Sequence, residues 1–212
     1  MRDHFTGLLQ TEELRIAQVP SSAKMIGADF FRRNPLSCAR DLIGCELIWG
    51  RCAGVIVETE AYTEFDDEAS HCFVRPTARA FVGRNKAGTA YVYLNYGVHW
   101  MLNVLVKGDE NGFVLIRALE PAAGIGLMKK RRRTRDEREL CSGPGKLTQA
   151  LAITIHHHEM DLCADERFCF RARSGGEAEV IADSRVGIRR SAHLPWRFTL
   201  RDSQHVSVRP RL

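Results

Sequence analysis

The sequence predicts a single α+β domain built on a mainly antiparallel sheet with helices beside it. Three observations carry this. Apolar alternation of period two recurs in several short runs, compact turn signals join neighbouring runs, and helix-start signals flank them. With 44% hydrophobic and 27% charged residues, the chain can close one substantial core and lacks the bias of a disordered or fibrous protein. There is no internal repeat, low-complexity linker or second core.

Met1 to Met25 is mixed and charged, without the apolar stretch and small-residue cleavage site of a signal peptide, so residues 1–26 are expected to be a loosely held leader before a domain spanning 27–212. Asp29-Phe30-Phe31 and Leu36 to Ile43 suggest helical pieces, with Pro35 in a first-turn position and Gly44 as a stop. Glu46 to Trp49 and Gly54 to Tyr62 look like a hairpin, followed by an acidic loop from Glu64 to Glu68. From His71 to Thr89 a long polar connection carries Arg75, Arg79, Arg84 and Lys86. Tyr91 to Leu94, Val98 to Val106 and Phe113 to Ala118 read as three strands, the last two joined by a turn at Gly108 to Gly112. Glu120-Pro121 is expected to open a helix ending in Lys129 to Arg133, and Ser142-Gly143-Pro144 another. The tail from Val186 returns to short strands.

Several classes fall away. Ala87 to Val106 has no Asp, Glu, Lys or Arg and is long enough to span a bilayer, but Asn95-Tyr96-Gly97 at its middle makes two strands and a turn the better reading. Seven cysteines without a Cys-x-x-Cys pair suggest neither a disulfide framework nor a zinc ribbon, and fit a reducing compartment. A formal charge of +5 leans towards a polyanionic partner.

Alternation through Val55 to Tyr62 places Ile56, Glu58, Glu60 and Tyr62 on one face. A carboxylate beside an aromatic suits hydrolysis: it can deprotonate water near a stacked substrate and stabilise a cationic sugar. A solvated strand face is the plainer alternative. The same rule aligns Tyr91, Tyr93 and Asn95 on one strand, His99, Met101, Asn103 and Leu105 on the next, and Phe113, Leu115 and Arg117 on the third. Aromatic walls, one amide and one fixed cation suit a planar heterocycle, although a tyrosine taken alone is more often core than ligand wall. Ser142-Gly143-Pro144-Gly145-Lys146 offers a helix N-terminus to phosphate without Walker spacing, or a plain cap. His156-His157-His158 and the Lys129 to Arg133 run with Arg135 are read as surface tracts.

Taken in order, Val57-Glu58-Thr59-Glu60-Ala61-Tyr62, His71, Gly88 to Tyr93, Tyr96-Gly97, Asn103, Leu115 to Pro121, Ser142-Gly143-Pro144 and Pro195 to Phe198 resemble the alkyladenine (3-methyladenine, N-methylpurine) DNA glycosylase family from about Gly27 to Val208. The resemblance implies a curved antiparallel sheet and a monofunctional enzyme without metal or organic cofactor. It would act as a monomer on duplex DNA carrying alkylated purines or deaminated ones such as hypoxanthine. Such a protein would be cytoplasmic and nucleoid-associated in a bacterium, or nuclear in a eukaryote. It implies Glu60 as the group that activates water, held with Arg117, and Tyr62, His71 and Tyr93 as the stack around a flipped base. Tyr96 would fill the gap in the duplex and Asn103 discriminate among purines, while Arg79, Ser142 and Lys146 would meet DNA. The segment Thr77 to Gly83 departs from the family's Thr-Pro-Arg-Asn pattern except at Thr77 and Arg79, and Val98-His99 replaces bulkier pairs, which leaves substrate breadth open. Two other classes compete: a non-catalytic DNA-damage binder, with no use for Glu60 and Arg117, and a metallohydrolase using His156 to His158 with Asp161 or Cys163.

Overall fold

The computed structural model describes residues 23–211. Of the expected leader, residues 1–22 lie outside that range, while Met25 bridges Arg171 and Ile26 is buried. The elements in order are α1 (Pro35–Asp41), β1 (Glu46–Trp49), β2 (Cys52–Thr63), α2 (His71–Val74), α3 (Pro76–Arg84), β3 (Ala90–Asn95), β4 (His99–Lys107), β5 (Asn111–Ala123), α4 (Ile125–Arg132), α5 (Pro144–Leu151), β6 (Phe168–Arg171), β7 (Val180–Asp183) and β8 (Arg197–Leu200), with short 3-10 turns between some of them.

Every ladder is antiparallel, as the turn-linked strands require. The sheet runs β3-β4-β5-β2-β1-β6, and β8 pairs with both β2 and β7. Strand β2 is the organiser. One edge meets β5 along its length, while the other meets β1 at its start and β8 near its end. A sheet whose central strand changes partner part-way curls. The fold class is therefore α+β with a curved antiparallel sheet.

One face of this sheet carries the main core, where Ile56, Leu102, Val104, Val114 and Ile116 pack with Leu42 of the turn after α1, Leu147 of α5 and Met128 of α4. Asn34 caps α1 by accepting from the Leu36 N–H at 2.9 Å, and Pro35 sits at the first helical position, where no N–H is needed. On the opposite face a smaller cluster of Phe81, Tyr91, Leu105 and Phe113 is roofed by α2 and α3. That roof covers part of the face only.

Two expectations need correction here. The connection from His71 to Thr89 is not a loop for most of its length but α2 and α3. Ser70 caps the first, Pro76 opens the second, and Ala78, Phe81 and Val82 give α3 a buried stripe at helical spacing. Glu120-Pro121 does not open a helix: β5 runs on to Ala123, Pro121 lies opposite Gly54, and α4 begins only after Gly124. A Cβ on Gly124, already at φ +73°, would meet the Arg51 carbonyl at 2.5 Å, so the turn requires glycine. The tail from Val186 holds the short strand β8, in line with the sequence reading, while β6 and β7 precede it and are too short to show alternation. Ala87 to Val106 holds β3 and most of β4, and no helix among the described residues is long and apolar enough to cross a membrane.

Candidate active site

On the partly roofed face a cleft of about 480 Å³ opens beside the smaller cluster. Its floor is made by the alternating residues of three strands: Tyr91, Tyr93 and Asn95 from β3, Met101 and Asn103 from β4, and Phe113, Leu115 and Arg117 from β5. Tyr62, His71, Arg75 and Val186-Gly187-Ile188 complete its lining.

The β2 carboxylates lie beneath this floor. Strict alternation would place Ile56 and Ala61 on opposite faces, yet both belong to the main core. The register with β5 shifts on both sides of Glu58, leaving Val57 and Arg117 without a direct partner. These β-bulges turn Glu58, Glu60 and Tyr62 away from the core and re-aim Arg117 towards them. Ile56 therefore leaves the face on which alternation had put it.

Glu60 has no exposed surface. Its Oε2 accepts from the Tyr62 hydroxyl at 2.8 Å and from Arg117 NH1 at 3.2 Å, and its Oε1 from the Val186 N–H at 2.7 Å. All three partners line the cleft, so the carboxylate sits directly behind its wall. Burial pushes its pKa up, and the Arg117 charge with the two hydrogen bonds offsets part of that. The Tyr62 hydroxyl is held protonated because burial and the adjacent Glu60 raise its pKa well above the usual range.

Glu58 is equally buried but differently employed. It accepts from Arg117 Nε and Arg197 NH1, both at 3.0 Å, and from the N–H (2.6 Å) and hydroxyl (2.8 Å) of Ser207. With four donors on two oxygens, it anchors Arg117 and the C-terminal segment.

His71 packs its ring 4.4 Å from that of Tyr93, with Nδ1 3.1 Å from the Tyr91 hydroxyl. Burial, with help from the Arg75 charge, pushes its pKa down to about 4, so the ring is neutral at physiological pH. The Asn103 amide donates to the Tyr91 carbonyl at 3.2 Å, which fixes its orientation at the cleft floor.

The chain matches the family model for methylpurine-DNA glycosylase over residues 29–204. A protein of Rhodopseudomonas palustris (strain BisB18) is 44% identical over 196 residues, covering 92% of this chain and 96% of the relative. One from Agrobacterium fabrum is 47% identical over 180 residues, covering 84% and 90%. A third, from Bradyrhizobium diazoefficiens, is 40% identical over 189 residues, covering 89% and 93%. All three are provisionally named 3-methyladenine DNA glycosylases. The chain belongs to the methylpurine-DNA glycosylase family.

Within this glycosylase fold, seven residues singled out from the sequence surround one cleft: Glu60, Tyr62, His71, Tyr93, Tyr96, Asn103 and Arg117. Tyr96 stands at the tip of the β3–β4 hairpin, 89% exposed. Its φ of +49° is followed by +70° at Gly97, and the Val98 N–H closes the turn on the Asn95 carbonyl. Both central residues are left-handed, the turn type that suits a twisted hairpin, and a bulky residue pays on the order of 1 kcal/mol for that conformation.

Arg79, Ser142 and Lys146 are not in the cleft. Arg79 donates to the carbonyls of Cys72 (3.2 Å) and Phe73 (2.9 Å) and so secures the end of α2. Lys146 pairs with Glu139 and donates to Ser142 Oγ at 3.3 Å. These side chains brace the start of α5, whose Pro144 lines the cleft.

Two residues of the histidine tract make structural contacts. The His157 ring caps its own turn at Thr154, and His158 Nδ1 accepts from the Val92 N–H at 3.1 Å. Asp161 pairs with Lys86, and among the described residues no group of three His, Cys, Asp or Glu could hold a metal ion. Arg75 and Val186 to Ile188 line the cleft although the sequence reading gave them no part in it. A glycine after Arg185-Val186 was the sole local signal for that wall.

Proposed function

We propose that this chain is a monofunctional DNA glycosylase that takes an alkylated or deaminated purine, extruded from duplex DNA, into the aromatic cleft and hydrolyses its bond to deoxyribose. The observation that carries this reading is the buried Glu60, held by Tyr62, Arg117 and Val186 directly behind the cleft wall. A water at that wall gives a proton to Glu60 while its oxygen bonds to C1′. The C1′–N bond breaks with its electron pair going to the purine, which leaves an abasic sugar. An N-alkylated purine departs as a neutral base, so water activation and sugar-cation stabilisation are the main demands; hypoxanthine departs as the anion and takes up a proton from solvent.

Tyr62, His71 and Tyr93 supply stacking surface, and the neutral His71 adds no second positive charge beside a cationic lesion. Tyr96, exposed at the hairpin tip, fills the space that the extruded nucleotide leaves. Single-turnover release of hypoxanthine and of a methylated purine from duplex DNA tests the reading. Release by the wild type and none by Glu60→Gln supports it; tight lesion binding without release by the wild type identifies a damage binder instead.

A further inference from the structure

Behind Tyr62, two segments far apart in the chain are buckled together. Asp67, in the loop after β2, and Arg185, in the segment after β7, are both buried and meet through a fork: NH1 to Oδ2 at 2.6 Å and NH2 to Oδ1 at 2.7 Å. Asp67 also accepts from the N–H groups of Thr63 and Ala69, and Arg185 donates onward to the carbonyls of Ala61 and Ser191. The guanidinium lies 4.6 Å from the Tyr62 ring centre and 5.2 Å from that of Trp196.

Residues adjoining both members of this pair line the cleft. The Asp67 loop leads through Ala69 to His71, and Arg185 is followed by Val186, whose N–H reaches Glu60. A buried ion pair contributes little net stability compared with apolar residues of the same size. A planar fork does fix distance and angle between the two segments it joins.

We infer that Arg185 and Asp67 are positioning residues for excision, setting the spacing between the His71 and Val186 walls and aiming the Val186 N–H at Glu60. Neither touches the base or the attacking water; both act through Val186 and Tyr62. The inference rests on Glu60 being the base.

Glu60 is faced by Glu58 and Tyr62 on its own strand, Tyr93 from β3, Arg117 from β5, Arg197 from β8 and the Val186 N–H. The pair supports two of these, the Val186 N–H and the Tyr62 hydroxyl, and both favour the charged carboxylate. Loosening it moves the acidic limb of the excision rate to higher pH, an effect that a purely stabilising contact would not have.

The test is single-turnover excision across pH, at temperatures where each variant is folded, from a duplex bearing whichever of hypoxanthine and 7-methylguanine the wild type releases faster. The variants are Arg185→Lys, the double Asp67→Asn/Arg185→Gln, which strands no buried ion if the single variant does not fold, and Glu60→Gln as reference. Arg190→Ala, at the exposed tie to Glu68 beside the pair, serves as control. A misplaced wall should slow excision ~10- to 100-fold. The acidic limb should move upward, and affinity for an abasic-site analogue should change less than about threefold. A wild-type limb and rate in the folded variants overturn the inference. Excision that survives Glu60→Gln sinks the base assignment and this inference with it; a dead Glu60→Gln beside an unperturbed Arg185→Lys sinks this inference alone.

Discussion

Glu58 and Glu60 sit two residues apart under the same cleft and share Arg117, yet their replacement by glutamine should fail in opposite ways. Glu58 receives four donors, two of them guanidinium groups. Glutamine can offer them one oxygen and would turn an NH₂ towards groups that are themselves donors. Breaking a buried ionic cluster from one side costs about 3–5 kcal/mol. At ~2–4 °C per kcal/mol for a chain of this size, Glu58→Gln should lower the melting temperature by roughly 6–20 °C.

Glu60 starts from a different position. Its pKa is raised in the fold, so at neutral pH its charge opposes folding, and that opposition fades as pH falls through the raised value. Removing the charge should leave stability within ~1 kcal/mol of the wild type or above it. Excision should fall by ~10²–10⁴ from loss of the base, and further from loss of the charge facing the sugar. Thermal unfolding and single-turnover excision, measured on both variants at a temperature where both are folded, separate the two effects. A Glu58→Gln protein that melts normally but does not excise, beside a Glu60→Gln protein that does, would refute the assignment.

Other outcomes follow from the same geometry. Excision should be lost on the acid side through a group above the usual carboxylate range, because deprotonated Glu60 is required and burial raises its pKa; His71, neutral above about 4, should not set that limb, so His71→Gln should leave it in place in a pH–rate profile. Tyr96→Ala should weaken lesion binding and excision while leaving the melting temperature unchanged, since the side chain is almost wholly exposed; equal activity in both proteins would remove the wedge role. Asn103→Ala should raise excision of guanine-derived relative to adenine-derived bases, and an unchanged ratio in a competition assay would reject that role.

Much of the cleft was legible because β3, β4 and the part of β5 before its bulge at Arg117 obey period two. Counting alternate residues placed Tyr91, Tyr93, Asn95, Met101, Asn103, Phe113, Leu115 and Arg117 on faces that the fold brings together. The same count failed at Ile56, where the bulges around Glu58 add a residue and reverse the face. A bulge leaves no signature in apolar spacing. Helix α3 reads as a polar connection because Arg79 and Arg84 interrupt the short apolar stripe of Ala78, Phe81 and Val82. The wall at Val186 to Ile188 and the Asp67–Arg185 fork were beyond reach for another reason: residues 118 apart meet only after the sheet has curled.

In the proposed reaction, the charges under the cleft give a physical reason for Glu60 rather than Glu58 to be the reacting group. Arg197 is shared by Glu58 and Asp183, and Arg117 by Glu58 and Glu60. Three carboxylates are thus set against two guanidiniums. Glu58 contacts both cations, whereas Glu60 has one of them at 3.2 Å and is otherwise satisfied by neutral donors. The uncompensated negative charge therefore falls at Glu60, next to the cleft, in a setting that burial has made unfavourable for it. A developing sugar cation is the missing partner in the proposed reaction, and it would relieve in the transition state a cost already built into the folded protein. On this argument the raised pKa of Glu60 and its capacity to stabilise the cation have the same origin. A second cation introduced beside it, as in Leu115→Lys at the cleft floor, should then restore a normal acidic limb and slow excision together.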